Sequence, residues 1–158
     1  TLGGRPVYSG GGIMPDIFVP NDTSGVTSYY INVVNAGLLQ RFAFDFVDDN
    51  RELLEGAKNV EELQQLLPAD DTLLRQFVLF ASRNGIPARW YYINISHDLI
   101  VNQLKALIAR DAMGYNAYFE IANSADVNVK RAVEELLNGT AAFPITYRPQ
   151  GTPANNKK

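Results

Sequence analysis

Hydrophobic residues recur at three- and four-residue steps along most of the chain after residue 21. This spacing is typical of one face of an α-helix, which makes a full turn about every 3.6 residues. Gly37 lies inside the first of these stripes, and glycine destabilises a helix interior by about 1 kcal/mol relative to alanine. The pattern therefore predicts a helical region with a break near Gly37. The stripe comprises Tyr30, Val33, Val34, Leu38, Phe42 and Phe46.

Capping residues indicate where the next two helices begin and end. Asn59 is followed three residues later by Glu62, which is the pattern of a capping box, and Pro68 marks the end of that helix. A third helix is predicted from about Asp71, with Gly85 at the position expected of a C-terminal cap.

Two further helices are predicted in the last third of the chain. One begins after Ser96 and is interrupted at Gly114, and the other begins with Asp126 as its cap and ends near Gly139. Between the third and fourth helices, the segment 86–96 (IPARWYYINIS) is rich in aromatic and β-branched residues. Its composition fits a short extended link or a buried connection, and both interpretations stay open.

The first twenty residues have a different pattern. Two short extended segments, 5–9 and 17–20, are predicted on either side of a tight corner. Glycine suits such a corner because it adopts positive φ and lets another backbone approach closely. The candidate structural corner comprises Gly10, Gly11, Gly12, Pro15 and Asp16.

These patterns predict a mainly α fold with a short β corner in front of it. We expect residues 1–20 to form the terminal strand and corner, and residues 21–147 to form a helical domain. Residues 148–158 are polar and rich in proline, and we expect them to be a disordered tail. The chain begins with TLGG rather than methionine, which suggests a piece of a longer protein.

Composition narrows the classes of function. Hydrophobic residues make up 46% of the 158 residues, enough for a sizeable core. Fourteen basic against 17 acidic residues give a net charge of −3, which argues against nucleic acid as a partner because such proteins need a clustered basic face. No apolar run in the sequence reaches the roughly 18 residues of a membrane span. Cysteine is absent, which excludes disulfides and thiolate metal sites.

The three glycines do not match a phosphate-binding loop. A P-loop ends in Gly-Lys-Ser/Thr, which does not follow Gly12, and a dinucleotide-binding G-x-G-x-x-G pattern would need glycine where Pro15 stands. We therefore interpret the stretch as a structural corner, and we predict no cofactor.

The only histidine, His97, lies between Ser96 and Asp98. A catalytic triad depends on spatial roles, and side chains adjacent in sequence point in different directions. We interpret the three as polar residues at a helix start, with Ser96 as the cap. One histidine cannot form a histidine-based metal site, and no metal is predicted. The acidic pairs are interpreted as helix-end residues, namely Asp48/Asp49, Glu61/Glu62 and Asp70/Asp71. Of these, Glu61/Glu62 and Asp70/Asp71 fall in first turns, where they complement the helix dipole.

The run Arg89 to Tyr92 (RWYY) combines a basic residue with three aromatic residues. Such clusters stack on peptides or bases in some proteins. Aromatic residues in a link between helices more often pack in a core or hinge, and this is the interpretation we favour.

The opening stretch GRPVYSGGGIMPDIFVP resembles the end of the catalytic domain in C-terminal processing (tail-specific) serine peptidases. That family has a corner of the form G-R-x-(V/I)-x-x-x-G-I-x-P-D-x-x-V. The matching residues are Gly4, Arg5, Val7, Gly12, Ile13, Pro15, Asp16 and Val19, with one more residue between Val7 and Gly12 than the pattern has. A weaker similarity to envelope members from Bacteroidetes-type bacteria extends through Leu54 and includes Asp48, Asn50, Arg51 and Leu53.

The resemblance implies a serine endopeptidase with a Ser/Lys dyad and usually a PDZ domain that captures substrate C-termini, located in the cell envelope or periplasm. Both catalytic residues lie upstream of the corner in that family, so this chain would contain neither. Lys58, Lys105 and Lys130 are predicted to be helix-surface lysines instead.

The chain would then be a non-catalytic helical C-terminal domain that supports core assembly or substrate access. Its partners would be the upstream protease core of the same polypeptide and, through the parent enzyme, protein or peptide substrates. The alternative is a free-standing helical module that binds a peptide or protein, in which the surface around Trp90 to Tyr92 is the candidate contact.

Overall fold

The computed structural model describes residues 17–20 and 23–138 of the chain. Within these ranges, helices hold 75% of the residues and no strand is formed, so the prediction of a mainly α fold is confirmed. Residues 17–20, predicted to be extended, form no strand, and the other predicted extended segment, 5–9, lies outside the described residues. The described helices are α1 (Ser28–Asn35), α2 (Leu38–Asp49), α3 (Arg51–Leu54), α4 (Val60–Leu66), α5 (Asp70–Arg83), α6 (Trp90–Ile95), α7 (His97–Met113), α8 (Tyr115–Ala125) and α9 (Val127–Leu137).

The chain divides into two compact units. One unit contains residues 21–130, and the other combines the two ends of the chain, 1–20 and 131–158. The predicted domain limits at residues 20, 147 and 148 stay predictions, since most of the end segments lie outside the described residues. None of the helices in the described ranges has the length and apolar character that crossing a bilayer requires.

The predicted break at Gly37 is confirmed. Gly37 has a φ of +66°, a left-handed conformation that residues with a Cβ adopt only at a cost. It separates α1 from α2, so the hydrophobic stripe that appeared continuous in the sequence belongs to two helices.

The predicted end of the third helix at Gly85 is also confirmed, and its hydrogen bonds explain why glycine occupies the position. Gly85 has a φ of +90°. Its N–H donates to the Ser82 carbonyl over 3.3 Å, and the Ile86 N–H donates to the Ala81 carbonyl over 3.0 Å. These two bonds form a Schellman motif, which satisfies the last carbonyl groups of α5.

The start of α4 follows the predicted capping pattern. The Glu62 N–H donates to Asn59 Oδ1 over 2.8 Å. The Glu62 carboxylate in turn accepts from the backbone N–H of Lys58 over 2.9 Å, one residue before the position that a standard capping box uses.

The core of the 21–130 unit forms around α7, which contacts α2, α4, α5, α6 and α8. On α7, Ile100, Leu104 and Ile108 are fully buried. Phe42 of α2 meets Phe77 of α5 edge to face, with 5.5 Å between the ring centroids, a preferred aromatic geometry. Because α7 is surrounded by other helices of the same unit, this unit has its own hydrophobic core.

The segment 86–96 is neither an extended link nor a buried connection, and both interpretations are wrong. Residues Trp90–Ile95 form the short helix α6, in which only Ile93 is buried. The Ile93 N–H donates to the Arg89 carbonyl, and the Ser96 N–H to the Tyr92 carbonyl. Burial of Ile93 and Ser96 in the helical core overrides the strand preference of the local composition.

Helix α9 begins at the predicted cap, since Asp126 Oδ1 accepts from the Asn128 N–H over 2.7 Å. None of its residues is buried. Leu136 and Leu137 are 69% and 82% exposed, so these two apolar side chains of α9 are largely accessible. On its polar side, Arg131 forms ion pairs with Glu134 and Glu135.

Candidate functional site

Two buried hydroxyl groups connect the loop before α1 to the junction between α6 and α7. Ser96 Oγ donates to the Gly25 carbonyl over 2.6 Å and lies 2.7 Å from the Thr27 hydroxyl. Because the single Ser96 proton is used on the carbonyl, Thr27 is the donor in the second bond. Ser96 occupies the N-cap position of α7 but caps no backbone N–H, so the interpretation of its side chain as a helix cap is wrong. Its hydroxyl holds the loop instead.

His97 lies between two carboxylates from different helices. Its Nδ1 is 2.7 Å from Asp98 Oδ1, and its Nε2 is 3.2 Å from Asp71 Oδ1 at the start of α5. The hydrogen bond to Asp98 raises the pKa of His97 above the usual 6.5, and the hydrogen bond to Asp71 acts in the same direction, while partial burial opposes both. The histidine therefore links the first turns of α5 and α7.

Ser96, His97 and Asp98 do not form a catalytic relay. The hydroxyl of Ser96 bonds to the 25–27 loop, whereas both ring nitrogens of His97 bond to carboxylates. A serine nucleophile needs its hydroxyl on the base, and here the hydroxyl faces the core.

Three consecutive aromatic residues of α6 form what we term the α6 aromatic surface: Trp90, Tyr91 and Tyr92. Trp90 is 48% exposed and Tyr91 is 75% exposed, so the interpretation that these rings pack in a core or hinge is wrong. Tyr91 and Tyr92 contact each other edge to face at 5.3 Å. Tryptophan and tyrosine are enriched at the energetic centres of protein interfaces because they bring a large rigid area to a contact.

A pocket of about 410 Å³ lies beside Trp90. Leu74 forms an apolar part of its wall, and the guanidinium of Arg75 and the amide of Asn94 line it with hydrogen-bond donors. His97 and Asp71, whose Nε2 and Oδ1 atoms are 3.2 Å apart, also line the pocket. An aromatic face beside amide and guanidinium donors is suited to a side chain and a main-chain carbonyl of a bound peptide.

The three acidic pairs lie at helix ends, as predicted. Asp70 and Asp71 lie in the first turn of α5, as predicted, and Asp70 forms an ion pair with Lys105 of α7. Lys105 is therefore only partly a surface lysine, with 21% of its side chain exposed. Lys130 is an exposed residue of α9, as predicted, whereas Lys58 is exposed but lies in the loop before α4 and not on a helix.

The described residues contain no group of histidine and acidic side chains arranged to hold a metal ion. The predicted corner residues Gly10, Gly11, Gly12, Pro15 and Asp16 lie outside the described residues, and their role stays a prediction.

A protein-family model described as "Family of unknown function (DUF8443)" matches residues 29–114, which is more than half of the chain. The matched range extends from α1 to the glycine that ends α7, so it includes the α6 aromatic surface and the pocket beside it. No curated protein and no solved structure matched the chain.

Proposed function

We propose that this chain, which belongs to DUF8443, a family of unknown function, is a non-catalytic helical domain of a serine endopeptidase of the C-terminal processing type. The observation that carries the proposal is the similarity of residues 4–19 to the corner that closes the catalytic domain in those peptidases. In this proposal the parent enzyme acts in the cell envelope or periplasm, and the helical domain supports assembly of its core or access of its substrates.

The organisation of the helical unit supports this role. Residues 21–130 have a hydrophobic core of their own, built around α7. A unit with its own core can be attached behind a catalytic domain without sharing side chains with that domain. The segment that carries the peptidase similarity ends at residue 19, and the first helix begins at Ser28.

The coding sequence upstream of Thr1 tests the proposal directly. We expect it to encode a peptidase core with a serine nucleophile and a lysine base. An unrelated upstream sequence, or a start codon at this position, would refute the proposal.

A second test uses the corner in the full-length protein. Replacing Gly11 by valine should impair peptidase activity or folding, because a β-branched side chain does not fit a corner packed on the core. Unchanged folding and peptidase activity in that variant would contradict the proposal that the corner packs on the catalytic core.

The exposed aromatic rings of α6 favour a second candidate, a helical module that binds a peptide or protein. Peptides selected by display on the 158-residue chain should lose binding when Trp90 or Tyr91 is replaced by alanine. Phe119→Ala on α8 is the matched control, since this ring is also about half exposed, at 54%. Selection of no peptide, or equal losses in all three variants, would refute a binding role for the α6 aromatic surface.

A further inference from the structure

A groove between α2 and α5 has an apolar floor that the helical unit leaves accessible. Its volume is about 480 Å³, within the range of ligand-binding pockets. Phe42 is at its centre, with Phe46 at 6.0 Å and Phe80 at 5.5 Å between ring centroids. Because the Phe42 ring packs against both of the others, the floor is a preformed surface. We term this feature the α2–α5 groove.

Two leucine side chains extend the apolar surface of the α2–α5 groove. Leu53 of α3 and Leu79 of α5 both line the groove, and they are 52% and 53% exposed. Single exposed apolar residues are common on protein surfaces, but apolar residues grouped around a concave floor indicate an interaction site.

The rim of the α2–α5 groove is acidic along α2. Asp45 and Asp49 line the groove one helical turn apart, and no side chain within the described ranges forms an ion pair or hydrogen bond with either carboxylate. Asp48, in contrast, is paired with Arg51. The segment 45–55 contains five acidic residues and one arginine, so the field on this side of the groove is negative.

The opposite wall of the groove is formed by α5. Arg83 and Gln76 line it with hydrogen-bond donors, and no described side chain pairs with the Arg83 guanidinium. Donors of this kind can bind the main-chain carbonyl groups of an extended peptide. The groove thus offers an apolar floor, carboxylates on one wall and donors on the other.

We propose that the α2–α5 groove binds a peptide segment in which a large apolar side chain, such as phenylalanine or leucine, is followed by lysine or arginine. The apolar side chain packs on the floor formed by Phe42, Phe46 and Phe80. The cationic side chain pairs with Asp45 and Asp49, to which the described part of the chain supplies no partner. Charge complementarity selects this occupant, because the two carboxylates outnumber the single guanidinium of Arg83 in the lining of the groove. The proposal depends only on the helical unit and not on the relationship to peptidases.

Fluorescence anisotropy with the 158-residue chain tests the proposal with three labelled ten-residue peptides. The first has a central Phe-Leu pair followed by two lysines in a Ser/Gly background. The second has glutamates in place of the lysines, and the third has serines in place of the Phe-Leu pair. We expect only the first to bind, with affinity that falls as salt is raised from low to physiological concentration. Equal binding of the glutamate peptide, or no binding of the first peptide at about 1 mM chain, would refute the proposal.

Variants of the chain assign the binding to the groove. The double change D45N/D49N should weaken binding of the lysine peptide by about 5-fold or more, because both carboxylates of the rim are removed. Glu120→Gln on α8 is the control for a lost surface charge. Leu79→Ser should also weaken binding, whereas Phe119→Ser removes an equally exposed apolar side chain outside the groove and should not.

The same experiment separates a peptide from a second copy of the chain as the occupant. We expect light scattering to give a mass independent of concentration for the wild-type chain. A dimer that dissociates in D45N/D49N, together with unchanged peptide affinity in that variant, would show that the groove is an interface between copies and would overturn the proposal.

Discussion

Replacing Ser96 by alanine should destabilise the helical unit, because its hydroxyl joins the start of α7 to a loop about 70 residues earlier. Ser96 is fully buried, and the change removes hydrogen bonds to the Gly25 carbonyl and the Thr27 hydroxyl. Each contributes about 1 kcal/mol net, and a buried carbonyl left without a donor adds to the cost. Thr27 retains a second acceptor, the Tyr92 carbonyl at 3.4 Å. We therefore expect the free energy of unfolding to fall by about 2 kcal/mol.

Urea unfolding followed by circular dichroism measures this difference. Ser82→Ala is the matched control, because the exposed Ser82 hydroxyl bonds only to the Val78 carbonyl one turn earlier in α5. We expect the control to lie within about 0.5 kcal/mol of the wild type, as is usual for surface changes. The reasoning is wrong if Ser96→Ala is no less stable than Ser82→Ala.

A second substitution distinguishes a tether from a helix cap at the same position. Aspartate is as good an N-cap as serine on the surface of a helix. At Ser96 it would place a carboxylate against the Gly25 carbonyl in a buried site, which is costly. Ser96→Asp should therefore be less stable than Ser96→Ala near neutral pH. Stability equal to that of the wild type would show that Ser96 acts mainly as a cap.

Three further substitutions test other parts of the helical unit. The pKa of His97 in the folded protein lies above its usual value of 6.5, so the stabilisation by protonated His97 is fully present below about pH 6.5 and is lost as the pH rises through the folded pKa. Melting curves of His97→Gln should therefore show the largest loss of stability at acidic pH. A loss that does not depend on pH would contradict the hydrogen bonds to the carboxylates. Gly85→Ala should lower the free energy of unfolding in urea by about 1 kcal/mol because φ is +90°, and Gly56→Ala, where φ is not positive, should lower it less. Equal losses in the two variants would argue against a strained cap at Gly85. Burial raises the pKa of Tyr29 to about 12, and no described residue forms a hydrogen bond with its hydroxyl. Tyr29→Phe should therefore leave the free energy of unfolding unchanged or raise it by up to about 1 kcal/mol. A clear loss of stability in urea unfolding would reveal a partner for the hydroxyl.

Helix boundaries could be predicted from the sequence because the groups that decide them are neighbours in the chain. Gly37 and Gly85 end or separate helices through their own φ angles, and Gly85 completes its cap with groups at most five residues away. The bond from Glu62 to Asn59 likewise spans three residues. In such cases the competing interactions are local, and a single sequence contains all of them.

The candidate site depends on pairs that are distant in the sequence. Ser96 meets Thr27 across 69 residues, and His97 meets Asp71 across 26. The α2–α5 groove likewise combines Asp45 with residues of α5. A hydrophobic pattern indicates which residues face the core but not which helix each residue contacts. In the same way, a serine or aspartate at a helix start has the same sequence pattern whether its side chain caps that helix or binds another segment.

The α6 aromatic surface is a different case, because the exposure of aromatic rings can be predicted from the sequence once the segment is assigned to a helix. Successive residues of a helix are rotated by about 100°, so Trp90, Tyr91 and Tyr92 together cover roughly 200° of its surface. The buried stripe of a helix at a protein surface is about 100° wide. In α6 that stripe is occupied by Ile93. Three adjacent rings cannot all enter the core of such a helix, and Tyr91, about 160° from Ile93 around the axis, is the ring that helical geometry places farthest from the core. The two interpretations drawn from the sequence, an extended link and a buried connection, did not include a helix, which the burial of Ile93 and Ser96 favours.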